Sequence, residues 1–92
     1  MTIILIQAAN ATQAAEVVEQ IEAGSLWGVD LGTTSSGASH ESWILVRCTL
    51  TRASNLTSAA PEGFDVDLQD NDPASFSDST LDQKAWYLLG KL

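Results

Sequence analysis

The sequence predicts an α+β fold: an antiparallel-rich sheet of three to four strands with two helices on one face, in the order strand, helix, strand, strand, weak strand, helix. Three observations predict this class. Residues 3–6 form a continuous apolar run, residues 43–52 alternate between apolar and polar side chains, and other segments carry apolar residues at helical spacing. The length of 92 residues allows a single domain, residues 1–92, with a small core.

The first strand and the first helix have the clearest local patterns. Ile3 to Ile6 is apolar at every position, which is typical of a central strand buried on both faces. Asn10 and Gln13 are spaced like a capping box, and Gly24 is suited to the turn that ends a helix. The apolar stripe between them consists of Ala14, Val17, Val18 and Ile21. We therefore expect a strand followed by an amphipathic helix.

The middle of the chain predicts two further strands around a loop. Trp27, Val29 and Leu31 alternate with other residues, which indicates a strand. Residues 32–41 are rich in Gly, Ser and Thr and predict a loop. Residues 43–52 have the alternation of a half-buried antiparallel strand, with Leu45 and Arg47 on the outer face. We expect these two strands to pair as a hairpin.

The last third of the chain predicts a weak strand and a second helix. Residues 53–63 are interpreted as a loop. Phe64, Val66 and Leu68 then alternate with aspartates, which predicts a short strand whose acidic face points outward and protects a sheet edge. After the turn-rich residues 70–78, Ser79 is suited to cap a final helix. Its apolar stripe consists of Leu81, Ala85, Leu88 and Leu92.

The charge balance excludes several classes of function. The chain has 12 Asp and Glu residues against 4 Lys and Arg, a formal net charge of −8. Direct binding to nucleic acid or to an anionic membrane is not expected, because both depend on clustered basic side chains. There is no basic, apolar signal segment and no run approaching the ~20 apolar residues of a membrane span, so we expect a cytoplasmic protein. Cys48 is the single cysteine, which excludes an intramolecular disulfide.

An acidic segment is the strongest candidate binding site. Seven acidic residues and no basic residue lie within residues 53–83. Such a row can imitate phosphates and fit a groove lined by Lys and Arg, although a solvated acidic face that maintains solubility is the alternative. Trp43 is added as a candidate interface aromatic. The predicted protein-binding residues are Asp65, Asp67, Asp70, Asp72, Asp78 and Trp43.

Neither a metal site nor a catalytic set is expected. Residue 65 begins a segment like a calcium-binding EF-hand loop, but Asp70 stands where that loop needs Gly and Phe76 where it needs Glu. Cys48 and His40 could be combined with Asp30 or Glu41 as nucleophile, base and orienting acid. However, Cys48 lies on an apolar strand face, where a thiol is normally unreactive. We expect no catalytic residues, no metal and no cofactor.

Residues 28–34 resemble the first phosphate-binding turn of the actin and Hsp70 ATPase superfamily. The matching residues are Gly28, Val29, Asp30, Leu31, Gly32, Thr33 and Thr34. Members of that family need two large lobes and further nucleotide-binding motifs, for which 92 residues leave no room. We interpret the segment as a hairpin loop, because a motif outside its structural context is only a hypothesis.

In size, single-domain organisation, lack of a catalytic set and the row Asp65, Asp67, Asp70, Asp72, the chain resembles small acidic phage and mobile-element inhibitors, including anti-CRISPR proteins and DNA mimics. The resemblance implies a non-enzymatic module whose carboxylates occupy the basic nucleic-acid-binding surface of a partner protein or ribonucleoprotein complex. Two alternatives remain open. One is an assembly protein that pairs through an edge strand or Trp43, and the other is a small enzyme or ligand-binding domain that uses residues 32–41.

Overall fold

The structure is a computed structural model that describes residues 2–70. It confirms the α+β class, with a four-stranded antiparallel sheet, a two-stranded sheet and two helices. In chain order the elements are β1 (Thr2–Gln7), α1 (Ala11–Glu22), β2 (Ser25–Leu26), β3 (Val29–Asp30), β4 (Ser36–His40), β5 (Trp43–Cys48), α2 (Leu50–Ala59) and β6 (Asp65–Asp70). The larger sheet has the order β4-β5-β1-β6.

Strand β1 lies inside the sheet, as its apolar run predicts. It pairs antiparallel with β5 on one side and with β6 on the other. Ile3 and Ile4 point to opposite faces, and both are fully buried. A strand with neighbours on both sides and cover on both faces has no position that favours a polar side chain, which explains the unbroken run.

Helix α1 begins and packs as its sequence predicts. The Asn10 side chain accepts a hydrogen bond from the backbone N–H of Gln13 at 2.8 Å, and the Gln13 side chain accepts one from the backbone N–H of Ala9 at 2.8 Å. The first bond satisfies a donor that the first helical turn leaves without a partner, and the second ties the residue before the cap to the helix. The buried stripe of the helix consists of Ala14, Val17 and Ile21.

The predicted strand over Trp27, Val29 and Leu31 is confirmed only at Val29–Asp30, which form β3, and is wrong at Trp27. Trp27 and Gly28 form a tight turn between β2 and β3, with φ angles of 53° and 82°. Positive φ at both central residues is typical of two-residue hairpins, and Gly28 reaches this region without steric cost. Trp27 instead packs against Phe64, with ring centroids 5.1 Å apart. The predicted hairpin with residues 43–52 is therefore also wrong.

The predicted loop at residues 32–41 contains an edge strand, β4. It pairs with β5 through a two-residue turn at Glu41 and Ser42. Helix α1 lies close above this strand at Gly37, where only a glycine fits. A Cβ atom on Gly37 would stand 2.9 Å from Cδ1 of Ile21, which is closer than real side chains allow. Gly, Ser and Ala are also common in loops, which is why the sequence of this strand predicts a loop.

The predicted strand over residues 43–52 ends early, at Cys48, and a helix replaces the predicted loop that follows. The Thr49 side chain caps α2 by accepting a hydrogen bond from the backbone N–H of Arg52 at 3.3 Å. Ala53 and Leu56, three residues apart, are fully buried on the inner side of α2. Strand β5 is also more buried than predicted, because Leu45 on its outer side has no exposed surface.

The main core lies between α1, α2 and one face of the sheet, which we call the first face. Its buried members are Ile4, Ile6, Ala8, Ala14, Val17, Ile21, Leu26, Leu31, Ile44, Val46, Cys48, Ala53 and Leu56. The opposite face of the sheet, which we call the second face, carries the alternate residues of the same strands. The predicted helix at residues 79–92 lies outside the described residues.

Candidate functional site

Strand β6 confirms the predicted acidic strand and lies at one end of the sheet. Asp65 and Asp67 are both exposed. Val66 between them is partly buried against the core of the first face. This alternation fixes the two carboxylates on the second-face side, since successive side chains of a strand point to opposite faces. We call Asp65 and Asp67 the acidic edge.

Register places the acidic edge beside two other strands. Asp65 stands opposite Gln7 and Asp67 opposite Leu5 on β1. Because Gln7 is also the register partner of Trp43, a single row across the sheet contains Asp65, Gln7 and Trp43. Adjacent strands lie about 4.8 Å apart, so Trp43 and Asp65 are separated by roughly 10 Å. The structure thus brings two of the predicted site residues, Trp43 and Asp65, to one face.

The remaining predicted acids have different outcomes. Asp70 closes β6 as the register partner of Ile3, after an irregularity between Ile3 and Ile4. Asp72 and Asp78 lie outside the described residues. Residues 65–70 form an extended strand, so the carboxylates of Asp65 and Asp67 do not converge as they would in a calcium-binding loop. Among residues 2–70, no group of three or more His, Cys, Asp or Glu residues is placed to hold a metal ion.

The bases of residues 2–70 stand apart from the acidic edge. These residues contain two bases, Arg47 and Arg52, against nine acids. Arg47 lies on β5, which β1 separates from β6. Arg52 lies on α2 and donates a hydrogen bond from Nη1 to Oγ1 of Thr34 at 3.3 Å. Within residues 2–70, therefore, neither β6 nor the neighbouring strand β1 carries a base.

The turn that resembles an ATPase phosphate-binding loop is occupied by local contacts. The backbone N–H of Gly32 donates to Oδ1 of Asp30 at 2.9 Å, and Gly32 has a φ of 62°. The Arg52 guanidinium lies against Gly32, where a Cβ atom would be only 2.8 Å from Nη2. Gly32 and Thr34 thus contact Arg52 of α2, while Asp30 holds the turn locally, and these contacts involve no nucleotide.

Cys48 and His40 cannot form a catalytic pair in this fold. Cys48 lies within the core of the first face, whereas His40 is the register partner of Trp43 at the other end of β5. Cys48 lies five residues from Trp43 along the strand, a distance of roughly 17 Å, so His40 beside Trp43 is far from Cys48. Burial raises the pKa of the Cys48 thiol above its ordinary value, and the positive charge of Arg52 opposes this in part. Both the position and the protonation state disfavour a nucleophile.

Replacing Cys48 with alanine should lower the free energy of unfolding by about 1 kcal/mol at neutral pH, because a small core group is lost. The cost should shrink as pH rises above about 8.5, where the thiol of the unfolded chain ionises but the buried thiol stays protonated. Urea denaturation of both proteins at neutral and alkaline pH measures this difference. A constant difference across that range would contradict the raised pKa.

The wider surroundings add no enclosed site. No cavity lies within the part of the chain that the structure describes. Neither helix in residues 2–70 combines the length and the apolar character that crossing a lipid bilayer requires.

No protein-family model, no curated protein and no solved structure matches this chain. The fold and the site therefore define a small α+β protein with an acidic edge strand.

Proposed function

We propose that this protein is a non-enzymatic binding module that inhibits a partner by occupying its basic, nucleic-acid-binding surface. One observation supports the proposal above all: β6, which is an edge strand within residues 2–70, holds Asp65 and Asp67 exposed on the same side. The strand rises about 3.4 Å per residue, so alternate carboxylates are spaced by roughly 7 Å. A fixed row of this kind is pre-organised to accept charge-assisted hydrogen bonds from Arg and Lys.

The global charge supports the same mode of action. A net charge of −8 on 92 residues repels nucleic acid and attracts a basic protein surface at long range. Electrostatic attraction of this kind accelerates association and selects a positively charged partner. Trp43, in the same row as Asp65, supplies an aromatic group to the contact. The partner's nucleic acid is then excluded by competition, as in the acidic inhibitors of phages and mobile elements that the chain resembles. In this proposal the two proteins meet in the cytoplasm.

Replacing Asp65 and Asp67 with asparagine should weaken binding to such a partner about 100-fold, since each interfacial charge pair contributes about 1.5 kcal/mol or more. The measurement is capture from a lysate by the immobilised protein at low and high salt, followed by titration of the captured protein. Added duplex DNA should compete with the immobilised protein for the captured partner. The folded state should be retained, because asparagine fits the space of an exposed aspartate.

The matched control replaces Glu16 and Glu19, two exposed acids of α1, with glutamine. This variant has the same net charge as the aspartate double variant but keeps the acidic edge. Binding that falls equally in both variants would reflect net charge alone, and binding unchanged by D65N/D67N would falsify the acidic-edge mechanism.

The opposite edge of the sheet favours a second candidate function, assembly with further copies. Within residues 2–70, β4 pairs only with β5, so its other side is a sheet edge. Edge strands that carry Lys or Pro resist pairing with other chains, whereas Ser36, Gly37, Ala38 and Ser39 include neither. Light scattering at micromolar concentration separates the two functions, because an inhibitor of the proposed kind is a monomer and an assembly protein is a dimer or larger.

A further inference from the structure

The second face of the sheet is apolar and largely buried, with Leu5 partly exposed. It carries Ile3 and Leu5 of β1, Leu45 of β5 and Ala38 of β4, which are aligned by the register of the three strands. Ile3 and Leu45 have 0% of their surface exposed and Ala38 has 8%. Side chains of this size reach such values only when other atoms cover the face from above.

The two described helices do not supply this cover. Their buried side chains, from Ala14 in α1 to Leu56 in α2, pack with Ile4, Ile44 and the other residues of the first face. Gly37, the neighbour of Ala38, lies against Ile21 of α1, which places Ala38 on the other side of β4. Within residues 2–70, therefore, no helix lies over Ile3 and Leu45.

We propose that residues 79–92 of the same chain dock on the second face as an amphipathic helix. The chain leaves β6 at Asp70, the register partner of Ile3, so the 22 residues from 71 to 92 start beside the most buried part of this face. The stripe Leu81, Ala85, Leu88 and Leu92 provides an apolar side. Fourteen helical residues are about 21 Å long, which matches the roughly 20 Å length of a six-residue strand.

Charge also favours this occupant. The Nε atom of Arg47 is buried and donates no hydrogen bond within the described part of the chain. Arg47 shares the second face with its register partners Ile3 and Ser36. Residues 71–92 contain three acids, namely Asp72, Asp78 and Asp82, that can complement this cation. A basic partner would be repelled by Arg47 on β5, so we expect it to contact this face at the acidic edge on β6, away from the part that residues 79–92 cover.

The test uses the full chain with Ala38→Cys, which places a small thiol on the second face, while the native Cys48 reports on the first face. Alkylation of each thiol is followed by mass spectrometry. Adding Leu88→Asp should accelerate labelling at position 38 by about tenfold or more, because labelling follows the exposed fraction of the site. Gln83→Asp, on the opposite side of the predicted helix, is the control and should leave the rate unchanged. Slow labelling of Cys48 in both variants shows that the first face stays folded.

Three outcomes would overturn the proposal. If Leu88→Asp leaves the rate of labelling at position 38 unchanged, another group covers the face. Fast labelling at position 38 without Leu88→Asp would mean that the face is open in solution. Protection that disappears on dilution, together with a dimer by light scattering, would assign the cover to a second copy. If Leu88→Asp exposes both thiols equally, the milder Leu88→Ala replaces it and is judged by the same ratio of rates.

Discussion

Replacing Leu56 with alanine should lower the free energy of unfolding by about 2–5 kcal/mol, the range for deleting a buried leucine side chain. Leu56 lies in α2, has no exposed surface and belongs to the main core with Ile4 and Ile6. For a chain of 92 residues such a loss is a large part of the total stability, which is typically about 5–15 kcal/mol. Urea denaturation followed by tryptophan fluorescence measures the change.

The matched control is Leu50→Ala in the first turn of the same helix. Leu50 is 50% exposed, so its truncation should cost under about 1 kcal/mol. The comparison separates burial from helix propensity, because leucine becomes alanine in both variants. Equal small effects at positions 50 and 56 would mean that α2 does not contribute to the core, in agreement with the loop that the sequence predicts over residues 53–63.

The fold was predictable where local signals and burial agree. The apolar run of β1, the Asn10 cap with Gln13 and the stripe of α1 each specify an element without reference to the rest of the chain. The alternation around Val66 likewise predicts β6. In these segments one residue pattern fits one structure, so the class and the central position of β1 follow from the sequence.

Two elements depend on tertiary contacts and were not predictable. Strand β4 contains Gly37 because Ile21 of α1 lies directly over it, and the sequence does not show that approach. Helix α2 contains several Ser, Thr and Asn residues, which are weak helix formers. It is held instead by the Thr49 cap and by the burial of Ala53 and Leu56. In both segments the spacing of apolar residues is too weak a signal to outweigh a composition typical of loops.

Some features of the candidate site were also predictable from local sequence, and others depend on the fold. Asp65 and Asp67 were identified from charge and alternation, which are local properties. Their alignment with Trp43 depends on β1 lying between β5 and β6, so it follows from sheet order and register alone. The burial of the second face had one signal in the sequence, the unbroken run of residues 3–6, since a strand with one solvated face would alternate.

Replacing Leu45 with alanine should lower the free energy of unfolding by about 2–5 kcal/mol, as much as Ile44→Ala at the neighbouring position. The two side chains point to opposite faces of β5, and both have no exposed surface. Ile44 belongs to the core beneath the helices, whereas Leu45 lies on the second face beside Leu5 and Ala38. Urea denaturation of both variants under the same conditions gives the comparison.

The ratio of the two losses distinguishes a sheet covered on both faces from a half-buried sheet. If the second face were solvated, Leu45→Ala would remove an exposed side chain and cost under about 0.5 kcal/mol, the usual range for surface substitutions. Ile44→Ala would still cost about 2–5 kcal/mol in that case, because the first face is covered by α1 and α2. Similar losses at both positions require a second core, and a small loss at Leu45 alone would remove the basis for docking residues 79–92 there.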